Sequence, residues 1–278
     1  MQFFIEVLVG GLLSGVMYAL VALGFVLIYK ASGVFNFAQG AMVFFAALTF
    51  VGFQEVLPGW LGMAADSSIV FWLAFLLAFL AMIVLGVATE RIVLRPLVNQ
   101  PHITLFMATI GLTYVIEGIA QMTWGATVRG LDLGIVDEPI AWLMDNYEIG
   151  VSKFDLFAAG VAASLVALLA LLFQYTKVGR ALRAVADDHQ AALSIGIPLQ
   201  TIWRVVWAVA GFVALVAGMI WGARNGVQFA LTFTALKALP VLILGLAEHS
   251  GLIQPLTRWT LGEAAAAARK LSSSDRPM

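Results

Sequence analysis

Runs of about 20 apolar residues recur along almost the whole chain, and they constrain the fold more than anything else in the sequence. A run of that length, wound as a helix, crosses the ~30 Å hydrocarbon core of a bilayer. The runs cover 4–29, 38–56, 69–88, 103–124, 154–175 and 201–223, with a last one over 229–246. Inside lipid each backbone N–H and C=O must find a partner within its own segment or in protein, so such runs fold as helices. The expected fold is an all-α integral membrane protein, a polytopic helical bundle of six or seven transmembrane helices. Composition supports this: 62% of the 278 residues are hydrophobic and 11% charged, against about 45–50% and about 25% in soluble domains. The N-terminus has no basic n-region and runs straight into the first apolar stretch, which reads as a first span rather than a cleaved signal.

The polar interruptions set the topology. Lys30 closes the first run, Glu90, Arg91 and Arg95 close the third before Pro96, and the last run carries Lys237 and Pro240, so it reads as broken or re-entrant. Lys30, Arg91, Arg95, Lys177, Arg180, Arg183 and Arg204 fall on one side, and Arg129, Lys153 and Arg224 on the other, seven against three. Basic residues concentrate in cytoplasmic connections, so the seven face inward. The N-terminus and the acidic connection 125–153 then face outward, with a small surface helix expected around 140–146. Gly11, Gly15 and Ala19 repeat at four-residue spacing, as do Ala214, Gly218 and Gly222. Each set makes a small-residue face suited to close helix approach.

Several function classes are excluded. The chain has no cysteine, so disulfides, Cys-ligated zinc and thiol catalysis are out. His102, His189 and His249 lie far apart and give no metal-ligand spacing. No GxxxxGK[ST] loop occurs, and no Ser–His–Asp arrangement stands out. With a net charge of −1 and no basic cluster, nucleic acid is not an expected partner. No catalytic residue, metal or cofactor follows from the sequence.

What remains is polarity inside the membrane. A central charge there costs about 2.5–3.5 kcal/mol on insertion scales, so such groups face a cavity or a bundle interior. Thr109, Thr113 and Glu117 share one face of the fourth run at four-residue spacing. They form either a wall of a translocation pathway or a carboxylic acid hydrogen-bonded across a helix interface. Asn36, Gln39 and Gly40 interrupt two apolar runs, which suggests a broken helix or a span that starts inside the membrane; the alternative is an ordinary polar loop. Lys237 is either a snorkelling stem or part of a discontinuous helix.

Segment 178–199 is charged and bounded by apolar runs on both sides. Arg180, Arg183, Asp187 and Asp188 take its polar positions, with Leu182, Val185, Ala186, Leu193 and Ile195 as an apolar stripe. The pattern is that of a short amphipathic helix. Arg183 and Asp187 sit four apart and can pair, for about 0.2–0.5 kcal/mol. Gly196 followed by Pro198 stops it. A helix tethered between two spans is placed to touch something outside the membrane, although a solvated connector has the same pattern.

The motifs NFAQG (36–40) within GLLSGVMYALVALGFVLIYKASGVFNFAQGAMV, ERIVLRPL (90–97), TIGLTYVIEG (109–118) and GRALRAVADDHQAALSIGI (179–197) occur in order. Together they resemble the LivH-like permease subunits of branched-chain amino acid ABC importers, over residues 1 to about 245. The resemblance implies a bacterial inner-membrane, multi-pass importer subunit. Its partners are cytoplasmic ABC ATPase subunits, a second related permease, a periplasmic substrate-binding protein and the lipid bilayer. It makes 179–197 similar to the cytoplasmic segment that docks on an ATPase, with Gly179, Arg180, Arg183, Asp187, Asp188 and Gly196 as coupling residues. Asn36, Gln39, Gly40, Thr109, Thr113 and Glu117 become candidates to line the pathway. ATP hydrolysis is expected on a separate subunit, so the chain itself is not expected to be an enzyme.

After Gly245 the motifs stop, and 257–278 looks unlike the family, which suggests an internal deletion and frameshift or a truncated product. The expected organisation is a permease domain over 1–246 and an atypical, partly disordered tail over 247–278. Other readings compatible with the residues are a permease for urea or short amides, a secondary transporter using Glu117, and an inactive truncated permease.

Overall fold

The computed structural model describes residues 2–240 apart from positions 34, 65, 66, 98, 99, 148, 149, 188–191, 193, 195 and 239. Met1–Ala238 forms one compact unit and Leu239–Met278 another, of which only Pro240, in a helical turn, is described. The tail expected over 247–278 therefore lies outside the described residues. The first unit is built from α1 (Gln2–Ser32), α2 (Gln39–Leu61), α3 (Ser68–Ala88), α4 (His102–Trp124), the short α5 (Ala141–Tyr147), α6 (Lys153–Tyr175), α7 (Lys177–Asp187) and α8 (Leu199–Asn225). Six of these, α1 to α4, α6 and α8, are long and apolar enough to cross a membrane. The chain is an all-helical, multi-pass membrane protein.

Of the seventh apolar run, Phe229–Ala238 is a short apolar helix that opens as a 3-10 turn over Phe229–Phe233. This described part is the half-helix; apart from Pro240, the rest of the run lies outside the described residues. The end of α3 also departs from regular α geometry. It passes into a π turn over Thr89–Leu94 and a 3-10 turn over Arg95–Leu97, which delivers the chain to Pro96 without continuing the α-helix.

Two helices carry the core. In α2 and α8, 72% of the apolar window is buried, against 22% in α6 and 28% in α3. The rest ring this central pair and give their other faces to lipid. Glycines set the distance between helices. A Cβ on Gly218 of α8 would lie 2.5 Å from the Val43 carbonyl oxygen of α2 and 3.2 Å from the Ala47 Cβ. Two turns earlier along α8, Gly211 faces the Met82 carbonyl oxygen at 3.1 Å, and Gly86 of α3 faces the Trp207 carbonyl oxygen at 2.9 Å. The stripe Ala214, Gly218, Gly222 therefore packs as its spacing predicts. Dispersion and close backbone approach drive helix association in lipid, where burial of apolar surface gives little.

The stripe on α1 does not pack in this way. Gly11 and Gly15 have nothing within 4 Å along their Cβ directions. Instead α1 joins α8 through its opposite half and through two indoles. Trp221 Nε1 donates to the Met17 carbonyl at 3.2 Å, and Trp203 Nε1 donates to the Ala31 carbonyl at 3.0 Å. The Tyr18 and Trp221 rings lie 4.7 Å apart.

The end that the Lys/Arg asymmetry assigns to the outside is fastened by polar contacts. Arg129 bonds Glu55 at the end of α2 and the Trp124 carbonyl at the end of α4. Its backbone pairs with Val227 just beyond α8, at 3.0 and 2.8 Å. Arg224 at the end of α8 pairs with Asp155 at the start of α6. Pro139 and Ser152 bridge the two arms of the connection 125–152, and α5 forms the small helix expected between them. Asp132, Asp137, Glu138 and Asp145 are exposed, as an acidic surface loop requires.

Replacing Gly218 by Ala should lower the thermal stability of the purified subunit in detergent by about 1–3 kcal/mol, the usual range for overpacking. Gly11→Ala, at an open helical position, should be neutral or stabilising by up to about 1 kcal/mol, since Ala is the better helix former. Melting curves monitored by size-exclusion chromatography would check the pair; equal effects at both positions would refute the close-packing account.

Candidate functional site

The polar residues singled out in the sequence lie in two places, a buried seam inside the bundle and a helical hairpin at the end of the bundle away from the Arg224–Asp155 pair. The seam starts at the corner between α1 and α2. Gly33 adopts φ 66°, and its N–H bonds the Tyr29 carbonyl at 2.8 Å, so α1 ends in a left-handed turn. The chain then re-enters the bundle at once. Asn36, Ala38, Gln39 and Gly40 are buried, so NFAQG is an interior break rather than a surface loop.

Backbone groups freed at such a break need partners from the protein. Asn36 Oδ1 accepts from the Ala38 N–H at 3.1 Å, and its Nδ2 approaches Gln39 Oε1 at 3.4 Å and Met42 Sδ at 3.6 Å. Thr109 of α4 supplies the remaining support. Its Oγ1 accepts from the Phe37 N–H at 3.1 Å, and its proton has the Phe106 and Phe35 carbonyls within reach, at 2.8 and 3.3 Å. Phe35, Phe37 and Phe106 pack around it with ring centroids 6.0 to 6.3 Å apart.

From there the seam climbs α4. Thr113 Oγ1 donates back to the Thr109 carbonyl at 3.0 Å. One turn further, Glu117 turns its carboxyl toward the side chain of Thr232 on the half-helix. Thr232 also touches the start of α2, since its carbonyl oxygen occupies the space where a Cβ on Gly40 would point. Thus Asn36, Gln39, Gly40, Thr109, Thr113 and Glu117, drawn from two separate stretches of sequence, meet in one buried seam closed by Thr232. Thr109, Asn36 and Gln39 have no exposed surface at all. One polar atom in the seam, Gln39 Nε2, is buried without a hydrogen-bond partner among the described residues. Unpaired buried donors cost free energy, so the seam retains unused bonding capacity.

Thr232 carries no sequence signal, because it stands alone in an apolar run. Gly24 is likewise silent, yet the Gln39 side chain fills the space beside it. Only a Gly there lets that amide lie against α1.

The hairpin is formed by α6 and α7. Thr176 ends one helix and caps the next: its Oγ1 donates to the Leu172 carbonyl at 2.6 Å and accepts from the Gly179 N–H at 3.0 Å. Gly179 is pressed against the Phe173 backbone, so no side chain fits at this corner. Arg180 and Arg183 are exposed and reach back toward the Tyr175 and Gln174 carbonyls, each at 3.4 Å. Cations there complement the negative end of α6. Leu182 and Val185 are buried as the stripe predicts, whereas Ala186 is exposed. The side chain of Asp187, and with it the expected Arg183–Asp187 pair, lies outside the described residues, as does Asp188. Gly196 has φ 85°, and the Ile197 N–H bonds the Ala192 carbonyl at 3.0 Å, the six-to-one bond of a Schellman stop.

A cleft of about 500 Å³ opens beside the end of α8 that the Lys/Arg asymmetry assigns to the outside. It is lined by Tyr18 of α1, Trp221 and Arg224 of α8, and Gln228, Thr234 and Lys237 at the half-helix. Lys237 stands 5.9 Å over the Tyr18 ring, so it lines the cleft at its place on the half-helix.

Thr109→Val removes the acceptor for the Phe37 N–H and should destabilise the corner by about 1–3 kcal/mol, the penalty for an unsatisfied buried donor. Thr109→Ser keeps the hydroxyl and should recover most of that loss. Hydrogen exchange at the corner amides reads the difference, and a Val variant as protected as wild type would contradict the assigned bond.

Comparison with known proteins bears on what these two places are for. The family described as branched-chain amino acid transport system / permease component matches residues 7–259, and so extends past Gly245. The high-affinity branched-chain amino acid transport system permease protein LivH of Salmonella typhimurium is 24% identical over 249 residues, covering 87% of this chain and 79% of that protein. The permease protein BraD of Pseudomonas aeruginosa, of the same description, is 24% identical over 252 residues, with the same coverage. The fructose import permease protein FruF of Bifidobacterium longum is 28% identical over 151 residues, 53% of this chain and 39% of its own length. No solved structure matches the chain. The family match takes in all six spanning helices, the α6–α7 hairpin and the buried seam, and the chain belongs to the permease component family of branched-chain amino acid transport systems.

Proposed function

We propose that the chain is the transmembrane permease subunit of an ATP-driven ABC importer that moves branched-chain or related amino acids across a bacterial inner membrane. Cytoplasmic ATPase subunits hydrolyse the ATP, a second related permease completes the pathway, and a periplasmic binding protein delivers substrate. Family membership and the names of the relatives supply the substrate class.

The observation that carries the coupling role is the α6–α7 corner. A short helix is held rigidly at the inward end of a spanning helix by the Thr176 cap and the Gly179 contact. Its apolar side packs on the bundle through Leu182 and Val185, while Arg180 and Arg183 face out. A rigid lever with an exposed cationic edge is what an ATPase needs to push on. Gly179, Arg180, Arg183, Asp187, Asp188 and Gly196 are assigned to this contact. Asn36, Gln39, Gly40, Thr109, Thr113 and Glu117 are assigned to the pathway wall, where free polar atoms can replace water around a passing zwitterion.

Reversing charge at Arg180 and Arg183 to Glu should reduce co-purification of the ATPase at least tenfold, equivalent to about 1.4 kcal/mol. Uptake of leucine into proteoliposomes should fall in parallel, while the variant still elutes as a folded subunit. Full ATPase retention by the double variant would remove α7 as the docking element. Leucine uptake by wild type that needs no ATP would replace the importer with a secondary transporter.

A further inference from the structure

Apart from Lys237 and Arg224, the residues that line the outward cleft carry no signal in the sequence. Three elements enclose it: the middle of α1, the end of α8 and the half-helix. Its volume of about 500 Å³ falls in the range of small-molecule sites, about 300–1,000 Å³. Its lining combines Tyr18 and Trp221, with rings 4.7 Å apart, and the polar Arg224, Asn225, Gln228, Thr234 and Lys237.

The charges in it are unequal. Arg224 is matched by Asp155. Lys237 enters no ion pair among the described residues; its ammonium meets only the face of Tyr18 at 5.9 Å. Cation–π contact of this kind offsets part of the desolvation of an ammonium but leaves its donors open. The Lys237 side chain is exposed, with its donors open to a partner. Gln228, also in the lining, uses Nε2 to bond the Asn225 carbonyl at 3.1 Å, and its Oε1 has no bond of its own among the described residues. A cation without an ion pair among the described residues, an amide oxygen and two aromatic rings together fit a small zwitterion with an aliphatic side chain.

We propose that this cleft is an outward-facing recognition site for an aliphatic α-amino acid. Lys237 holds the carboxylate, Gln228 Oε1 takes the ammonium, and Tyr18 with Trp221 covers the side chain. The assignment rests on the importer reading and extends it to residues outside the buried seam. It places recognition on the half-helix that also carries Thr232, so an occupied cleft bears on the same short element that closes the seam.

The test is equilibrium binding of tritiated leucine to the complete detergent-solubilised transporter, without binding protein, with leucinamide as competitor. Wild type should bind leucine and prefer it to leucinamide at least tenfold, because the amide lacks the carboxylate. Lys237→Gln should weaken leucine binding at least tenfold and lose that preference, whereas Lys237→Arg should keep both. Size-exclusion elution of each variant as a folded subunit separates loss of the site from loss of the fold. Unchanged leucine binding in Lys237→Gln, or none in wild type, overturns the site. If added phosphatidylglycerol displaces leucine and binds in a Lys237-dependent manner, the anion held is a lipid phosphate and the amino-acid assignment falls. ATP-dependent uptake measured on the same preparation separates the two levels. Uptake retained without cleft binding overturns the cleft alone, and uptake absent in wild type overturns the importer reading together with it.

Discussion

The approach of α8 to α2 at Gly218 is the contact on which the rest of the bundle depends. A carbonyl oxygen lies 2.5 Å from where a Cβ would sit, so the two backbones are as near as side chains allow. In lipid there is little hydrophobic gain in bringing helices together, and close packing has to supply the association. Once α2 and α8 form a dense pair, α3 follows through Gly86 and Gly211, and α1 follows through the two tryptophan donors. The remaining spans need only cover one flank each, which is why α6 is mostly lipid-facing.

A rigid central pair also permits irregular backbone elsewhere. The NFAQG corner and the half-helix interrupt helical hydrogen bonding within the protein interior, a state tolerated only where protein groups take over. Thr109 does this for the corner, bonding Phe37 directly across the gap between α4 and α2. The π turn after α3 is a third irregularity, and it buries Glu90 with Oε1 unpaired. All three lie where α2 or α8 provides a fixed wall. The molecule places its irregular backbone and spare polar groups beside its most deeply buried pair of helices.

Much of this was legible in the sequence, and the gaps have physical causes. Twenty-residue apolar runs fix the helices because the bilayer sets their length. The four-residue spacing of Thr109, Thr113 and Glu117 put them on one face, and the interruption at Asn36 marked a break. That these two sets meet was not legible, since nothing local says that α4 lies against the start of α2. Thr232 and Gly24 were invisible for the same reason: their roles exist only across helices. The stripe on α1 shows the converse error, where Gly11 and Gly15 have the right spacing but no partner in this chain. Spacing reports that a face can pack, and only the fold reports whether it does. The last apolar run was read as broken or re-entrant from Lys237 and Pro240; its described part is the helix Phe229–Ala238, and the rest of the run, apart from Pro240, lies outside the described residues. Its neighbours could not have been inferred from those two residues.

The half-helix gives the structure its functional logic. It touches α2 through Thr232 and Gly40, α4 through Thr232 and Glu117, and the outward cleft through Thr234 and Lys237. Thr232 and Lys237 are five residues apart, about 7.5 Å along a helix axis. Because both residues belong to one helical stretch, any rearrangement of that stretch moves a group in the wall of the cleft and a group that closes the seam together.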